Sequence, residues 1–348
     1  MFELMKAVCS KCGKERSSIE PRCTSCGGIF ELFPDFKYRN RAEDNFPYIK
    51  NWISLGEVIT PILKLENLSL KLEYYSPTFS YKDRGARAMI SALAEKREKY
   101  NIKEINEDSS GNAGASIAAY GKKAGFKVNI FVPEHTLATK LEQIMSYGAN
   151  IFKIPGSRED VEKAAEMHKG VFSSHVYMPE FRDGLRSLAY EIFDQMPMPD
   201  RVFVPVSAGT LLIGIYHGFK HLYESGEITK IPELVAVQTE FVSPLCAAIN
   251  RTFYDPGRQV ESIADALVSR KPALIGKMIE IINNYGKCIT VNEEEIKEAR
   301  NALALEGILV EYSSATVYAA FKKHKFADSN LLIITGNGLK SMGMGVKS

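Results

Sequence analysis

Ser80-Tyr81-Lys82-Asp83-Arg84-Gly85 is the stretch on which the reading of this chain turns. Upstream stands Tyr74-Tyr75-Ser76-Pro77-Thr78-Phe79, rich in turn formers and aromatics. Downstream runs Ala86-Arg87-Ala88-Met89-Ile90-Ser91-Ala92-Leu93-Ala94, whose apolar residues recur at helical spacing. Lys82 therefore falls where a loop enters a helix. A lysine at the positive end of a helix and close to Arg84 suits an amine that works as a nucleophile toward an aldehyde. The plain alternative is a solvated surface lysine, the commonest setting for this residue.

A second stretch, Ser109-Ser110-Gly111-Asn112-Ala113-Gly114-Ala115-Ser116, lies between a candidate strand and a helix beginning near Ala115. Small residues there let backbone N–H groups converge on an anion at the helix start. Alone, it is equally an ordinary strand-to-helix turn.

Taken together, the two stretches resemble the pyridoxal-phosphate enzymes of the tryptophan-synthase-β fold type. Among these the chain is most similar to the threonine synthase family, whose lysine motif also reads Lys-Asp-Arg-Gly. The resemblance runs from about Trp52 to the end of the chain. It implies two open twisted-sheet α/β domains with pyridoxal phosphate between them. It implies Lys82 as the Schiff-base lysine and Asn112 as the partner of the cofactor's ring hydroxyl. It also implies that Ser109, Ser110, Gly111, Asn112, Ala113 and Gly114 wrap the substrate carboxylate.

Composition is ordinary for a soluble globular protein. The 348 residues are 25% charged and 45% apolar, with a formal net charge of +2, so no bulk charge points to nucleic acid or an acidic partner. No apolar run reaches membrane-spanning length. The opening Met1-Phe2-Glu3-Leu4-Met5-Lys6 lacks a signal-peptide layout, so a cytoplasmic location is expected. Cys9-Ser10-Lys11-Cys12 and Cys23-Thr24-Ser25-Cys26 form two Cys-x-x-Cys pairs, each followed by glycine (Gly13, Gly27). Four thiolates suit a closed, structural, tetrahedral zinc site, and residues 1–33 read as a zinc ribbon too small to fold on its own core. Redox dithiols or disulfides are the alternative. Cys246 and Cys288 stand apart and read as small buried apolar residues. Residues 34–48 read as a packed connector.

Two short strands, 60–65 and 70–74 with a turn at Asn67-Leu68, lead into the lysine loop. Helices are then expected over 84–99, 115–124, 136–147 and 158–169, alternating with strands near 105 and over 127–132, 150–154 and 175–177. A further helix covers 183–195. Such alternation argues parallel sheets with right-handed crossovers. The expected division is a ribbon at 1–33, a smaller α/β domain at 76–180, and a larger cofactor-binding domain combining 34–75 with 181–348.

Arg201-Val202-Phe203-Val204-Pro205-Val206 reads as a strand buried on both faces. It is followed by Ser207, Ala208, Gly209, Thr210 and Leu211, a small-residue loop before helix 211–223 that can cradle a phosphate. The family's version is richer in glycine. Leu331-Leu332-Ile333-Ile334 is another buried strand, and it ends in Thr335-Gly336-Asn337-Gly338-Leu339-Lys340. The family turn there is Thr-Gly-His-Gly-Leu-Lys, which implies that Thr335 touches the pyridine nitrogen. Phe181-Arg182-Asp183-Gly184-Leu185-Arg186 resembles the family's Arg-Leu-Glu-Gly-Gln-Lys segment, with Leu185 in place of glutamine and Arg186 in place of lysine. It makes Arg182 and Arg186 the candidate ligands of a substrate phosphate.

The resemblance implies conversion of O-phosphohomoserine and water to threonine and phosphate, by a protein that is commonly a homodimer in this family. The competing enzyme readings are cysteine or cysteate synthesis and serine/threonine dehydration. A non-catalytic protein that uses its ribbon to hold a partner is the reading from outside enzymology, and the intact Lys82 speaks against it.

Overall fold

The structure is a computed structural model and describes residues 5–66, 68–258, 262–324, 326 and 329–341. The first four residues of the ribbon segment and Asn67 of the expected turn lie outside the described residues. The strands, in chain order, are β1 (Met5–Cys9), β2 (Phe30–Pro34), β3 (Ile62–Lys64), β4 (Ser69–Leu72), β5 (Glu104–Glu107), β6 (Lys127–Pro133), β7 (Asn150–Ile154), β8 (Val171–Phe172), β9 (Arg201–Pro205), β10 (Glu233–Thr239), β11 (Gly286–Val291) and β12 (Asn330–Ile334). The chain divides into two compact units: Met1–Glu57 with Lys82–Ser187, and Val58–Tyr81 with Leu188–Ser348. Among the described residues no helix is long and apolar enough to cross a membrane.

In the first unit β1 and β2 pair antiparallel, with Cys9 opposite Phe30. The two cysteine turns share one geometry. Gly13 and Gly27 both take positive φ (72° and 68°), and their amides donate to the carbonyls of Cys9 (3.0 Å) and Cys23 (2.8 Å). Only glycine occupies that region without strain. The main sheet of this unit runs β7-β6-β5-β8, all parallel. Of its crossover helices, the one before β8 starts on a side-chain cap. Ser157 and Asp160 form a reciprocal capping box on helix Arg158–Met167.

In the second unit the sheet order is β11-β10-β9-β12-β4-β3. All pairs are parallel except the hairpin of β3 with β4 at the edge. The core includes Leu70, Phe203, Val235, Val237, Leu332 and Ile334, all under 1% exposed. Each such side chain contributes about 1.5–3 kcal/mol on burial, which is why β9 and β12 read as continuous apolar runs.

Several boundaries differ from the sequence expectation, each for a local reason. The helix expected over 84–99 begins at Lys82 and stops at Glu95, and a short turn Arg97–Tyr100 ends at left-handed Asn101. The helix expected from Ala115 begins at Asn112. The helix expected over 183–195 is two pieces, Pro179–Gly184 and Arg186–Gln195. The strand expected at 175–177 lies instead at Val171–Phe172: Ser173 makes the last bond to β5, at the Asn106 carbonyl, and the His175 amide goes to the Glu107 side chain and not to a strand. Cys246 and Cys288 are buried, as expected, but they are not separate. They form a disulfide that ties helix Pro244–Asn250 to β11.

Candidate active site

Each residue of Lys82-Asp83-Arg84-Gly85 has a physical task in the first unit. Lys82 opens helix Lys82–Glu95, whose buried face is Ala86, Ala88, Met89, Ile90, Ala92 and Leu93. Asp83 is buried, and Ser116 Oγ donates to its Oδ1 at 2.5 Å. That bond fastens the first turn of the lysine helix to helix Asn112–Lys123. Arg84 Nη1 lies 3.4 Å from Ser187 Oγ. Gly85 faces the Phe181 ring so closely that a Cβ there would lie 2.6 Å from ring carbons. Gly184 has the same character, since its Cβ would meet the Arg84 carbonyl at 2.6 Å.

The loop Ser109–Gly114 folds back on the helix it introduces. A Cβ at Gly114 would lie 2.0 Å from the Ser109 carbonyl oxygen, so this position admits no side chain. No side chain caps the helix start at Gly111. The small residues of this helix start leave room for an anion beside it.

The loop rests on an acidic strand end that the sequence reading passed over. Glu107 is fully buried and Asp108 nearly so. Glu107 Oε2 accepts the backbone N–H of His175 at 3.1 Å, and its Oε1 lies 2.6 Å from His175 Nδ1. Asp108 Oδ2 pairs with Arg158 Nη2 at 2.7 Å, and Arg158 also donates to the Asp108 carbonyl. Burial pushes the Glu107 carboxyl up to about 8 and holds His175 down to about 3, so both groups favour their uncharged forms. The available signal was the pair Glu107-Asp108 directly before Ser109. Its partner His175 lies 68 positions away, beyond any local pattern.

The second unit contributes two further pieces. Gly209 takes φ 96° ahead of helix Thr210–Ser225, and again no side chain caps the helix start. Ser207 Oγ is tied by the amide of Ser269 at 3.2 Å, and Gly209 lies tight against Met278. Uncapped amides at Gly209, Thr210 and Leu211, with the helix dipole behind them, fit a phosphate. Thr335 Oγ1 lies 2.8 Å from Ser314 Oγ, which also accepts the Gly336 amide at 2.8 Å. The Thr335 turn holds the segment before Lys82. Tyr81 donates to the Thr335 carbonyl at 3.0 Å, and Asn337 to the Phe79 carbonyl at 3.2 Å. Phe79 itself sits at φ 65°, a conformation costing about 1 kcal/mol or more for a residue with a side chain.

Arg182 and Arg186 are placed differently from the expectation. They are 2% and 0% exposed. Arg182 donates to the main-chain carbonyls of Val176 and Phe30. Arg186 Nε pairs with Asp183 Oδ1 at 2.6 Å, and its Nη2 donates to the Asn45 carbonyl at 2.9 Å. Neither guanidinium is presented to a ligand. In this structure both side chains serve as internal ties.

The four thiols Cys9, Cys12, Cys23 and Cys26 have their sulfurs all within 4.8 Å of one another, a spacing that one ion could bridge.

This fold and these pieces define a class. The sequence matches the family described as Pyridoxal-phosphate dependent enzyme over residues 53–336, and the chain belongs to that family, with its type II α/β fold. Threonine synthase from Methanocaldococcus jannaschii is 30% identical over 98% of this chain and 94% of its own length. Threonine synthase from Halalkalibacterium halodurans is 30% identical over 83% and 84%. These relatives place the chain among the pyridoxal-phosphate-dependent lyases of the threonine synthase kind. Among solved structures, a pyridoxal 5'-phosphate-dependent aspartate racemase superposes with a TM-score of 0.72 at 22% identity, covering 91% of this chain and 99% of that one, and it shares the fold.

Proposed function

We propose that this chain is a threonine synthase that converts O-phosphohomoserine and water to threonine and phosphate. The observation that carries the reading is the Asp83–Ser116 bond, which joins the Lys82 motif to the Asn112 motif within one unit. The likeness to two threonine synthases over most of the chain supports it.

Pyridoxal phosphate, when bound, supplies an electron sink for negative charge at the substrate's α-carbon. Amides of Ser207, Ala208, Gly209, Thr210 and Leu211 hold its phosphate, and Asn112 its ring hydroxyl. Thr335, backed by Ser314, offers the ring nitrogen a neutral hydroxyl in place of a carboxylate. Ser109, Ser110, Gly111, Ala113 and Gly114 wrap the substrate carboxylate. Lys82 Nζ holds and moves protons at the substrate's α and β carbons as acid and base. Cys9, Cys12, Cys23 and Cys26 hold one structural zinc. The enzyme works as a homodimer in the cytoplasm.

The burial of Arg182 and Arg186 favours a second reading, in which the leaving group is not phosphate but acetate or water. The experiment is a side-by-side assay of O-phosphohomoserine, O-phosphoserine, O-acetylserine, serine and threonine. Phosphate release and threonine formation from the first supports the proposal. Turnover of another with none of the first replaces it.

A further inference from the structure

Glu107 ends β5 two residues before Ser109, and it is fully buried. An unpaired buried carboxyl costs several kcal/mol, so its partner matters. That partner is His175, held by both its ring and its main chain. The contacts continue from there. The His175 ring meets the Phe181 ring edge-on, centroids 5.9 Å apart at 69°. Phe181 lies on Gly85, three residues into the lysine helix. Asp83, in the first turn of that helix, returns to helix Asn112–Lys123 through Ser116. Gly114, near the start of that helix, presses on Ser109. The contacts form a closed circuit through both motifs, all within the first unit.

We propose that Glu107 and His175 are a positioning pair that fixes the Ser109–Gly114 loop and the Lys82 helix in one arrangement. The inference rests on the reading that this loop and Lys82 serve substrate and cofactor. Ordinary core packing would explain burial of the two side chains. It does not explain why an acid and a histidine, in place of two apolar residues, sit at the strand end that carries the loop. One hydrogen bond orients the His175 ring and a second holds its main chain, and through Phe181 that orientation is passed to Gly85. The pair shares one proton and brings no net charge beside Lys82. Asp108, Arg158 and Glu162 are the other charged groups that face it.

The test compares the full chain with Glu107→Gln, Glu107→Leu and Phe181→Leu. Amide hydrogen exchange is read on protein stripped of cofactor, and binding of added pyridoxal phosphate is read from its visible band. Glutamine can still accept the His175 amide and donate to Nδ1. Glu107→Gln is expected within about threefold of the parent in both measurements, and Glu107→Leu to exchange about tenfold faster over 82–88 and 108–116. Exchange in β6 and β7 should stay as in the parent, and cofactor affinity should fall about tenfold in the leucine variant. Unchanged exchange over 82–88 and 108–116, or a rise spread evenly over the unit, overturns the proposal. So does a glutamine variant as defective as the leucine variant. Should Glu107→Leu not fold, Phe181→Leu decides from the other end, with faster exchange over 82–88 supporting the pair and parent-like exchange overturning it. A parent that binds no pyridoxal phosphate would sink the proposed function, while the exchange pattern still judges the pair.

Discussion

Arg182 donates a hydrogen bond to the main-chain carbonyl of Phe30, and so fastens helix Pro179–Gly184 to the last strand of the cysteine segment. Arg16 and Glu180 repeat the tie at 2.8 Å, with both side chains under 5% exposed. Glu180 is held down to about 2, chiefly by Arg16 and Lys96 acting against its burial.

Arg182→Met is therefore expected to act on stability. Removing a buried, hydrogen-bonded charge should cost about 3 kcal/mol and lower the midpoint of thermal unfolding. The folded fraction should keep the parent KM. A KM for a phosphorylated substrate that rises about thirtyfold with no change in unfolding would return Arg182 to the role of phosphate ligand.

Metal removal should be felt beyond the cysteines. Elemental analysis is expected to find about one zinc per chain. Chelation should speed amide exchange over 5–34 and, through Arg16 and Arg182, over 179–184 as well. The visible band of added pyridoxal phosphate should persist, because no thiol belongs to the cofactor set. Its disappearance on chelation would mean that the metal belongs to the catalytic site.

Lys82→Ala should abolish the visible band of the lysine-bound cofactor and reduce turnover by roughly 10³-fold. Unfolding should change little, since the lysine side chain is only partly buried. A variant with the parent spectrum would remove Lys82 from the cofactor.

The Glu107–His175 pair makes stability depend on pH in a defined way. Unfolded, the carboxyl loses its proton near 4.5 and the histidine near 6.5; folded, these shift to about 8 and about 3. Between pH 4.5 and 6.5 both states hold one proton, so this pair adds no slope there. From 6.5 to 8 the folded state holds one proton more, and stability falls by about 2 kcal/mol as pH rises. From 4.5 down to 3 the unfolded state holds one more, and stability falls as pH drops. Denaturant unfolding of the parent against Glu107→Gln should show the fall above 6.5 only in the parent. Parallel profiles would mean that the carboxyl is ionised in the folded protein.

Thiol titration in denaturant, with metal removed, should find four reactive cysteines before reduction and six after it. The disulfide closes a span of 42 residues, for which chain entropy gives about 4 kcal/mol of stabilisation. Six thiols without reduction would show the two side chains merely touching.

The sequence made the motifs legible where chemistry is local. Lys82 at a helix start, the Ser109–Gly114 turn, the buried strands β9 and β12 and the paired cysteines are each written in a few consecutive residues. What it concealed depends on distant partners. Nothing near Arg182 announces Phe30, 152 positions earlier, so an arginine in a family-like segment reads as a ligand. Cys246 carries no mark of Cys288. The loss of strand at 175–177 goes with the His175 amide binding the Glu107 side chain, a contact that the fold must first create.

The pairing of β4 with β12 sets Ser69 against Leu331, so the strand leading to the lysine loop waits for a segment made long after it. On a ribosome adding roughly 5–20 residues per second, that wait is on the order of tens of seconds. Until then Tyr81 has no Thr335 carbonyl and Phe79 no Asn337 amide to meet. A nascent or prematurely terminated chain thus carries Lys82 without the turn that holds the segment before it. A chain that stops short of Thr335 therefore lacks both of these hydrogen bonds.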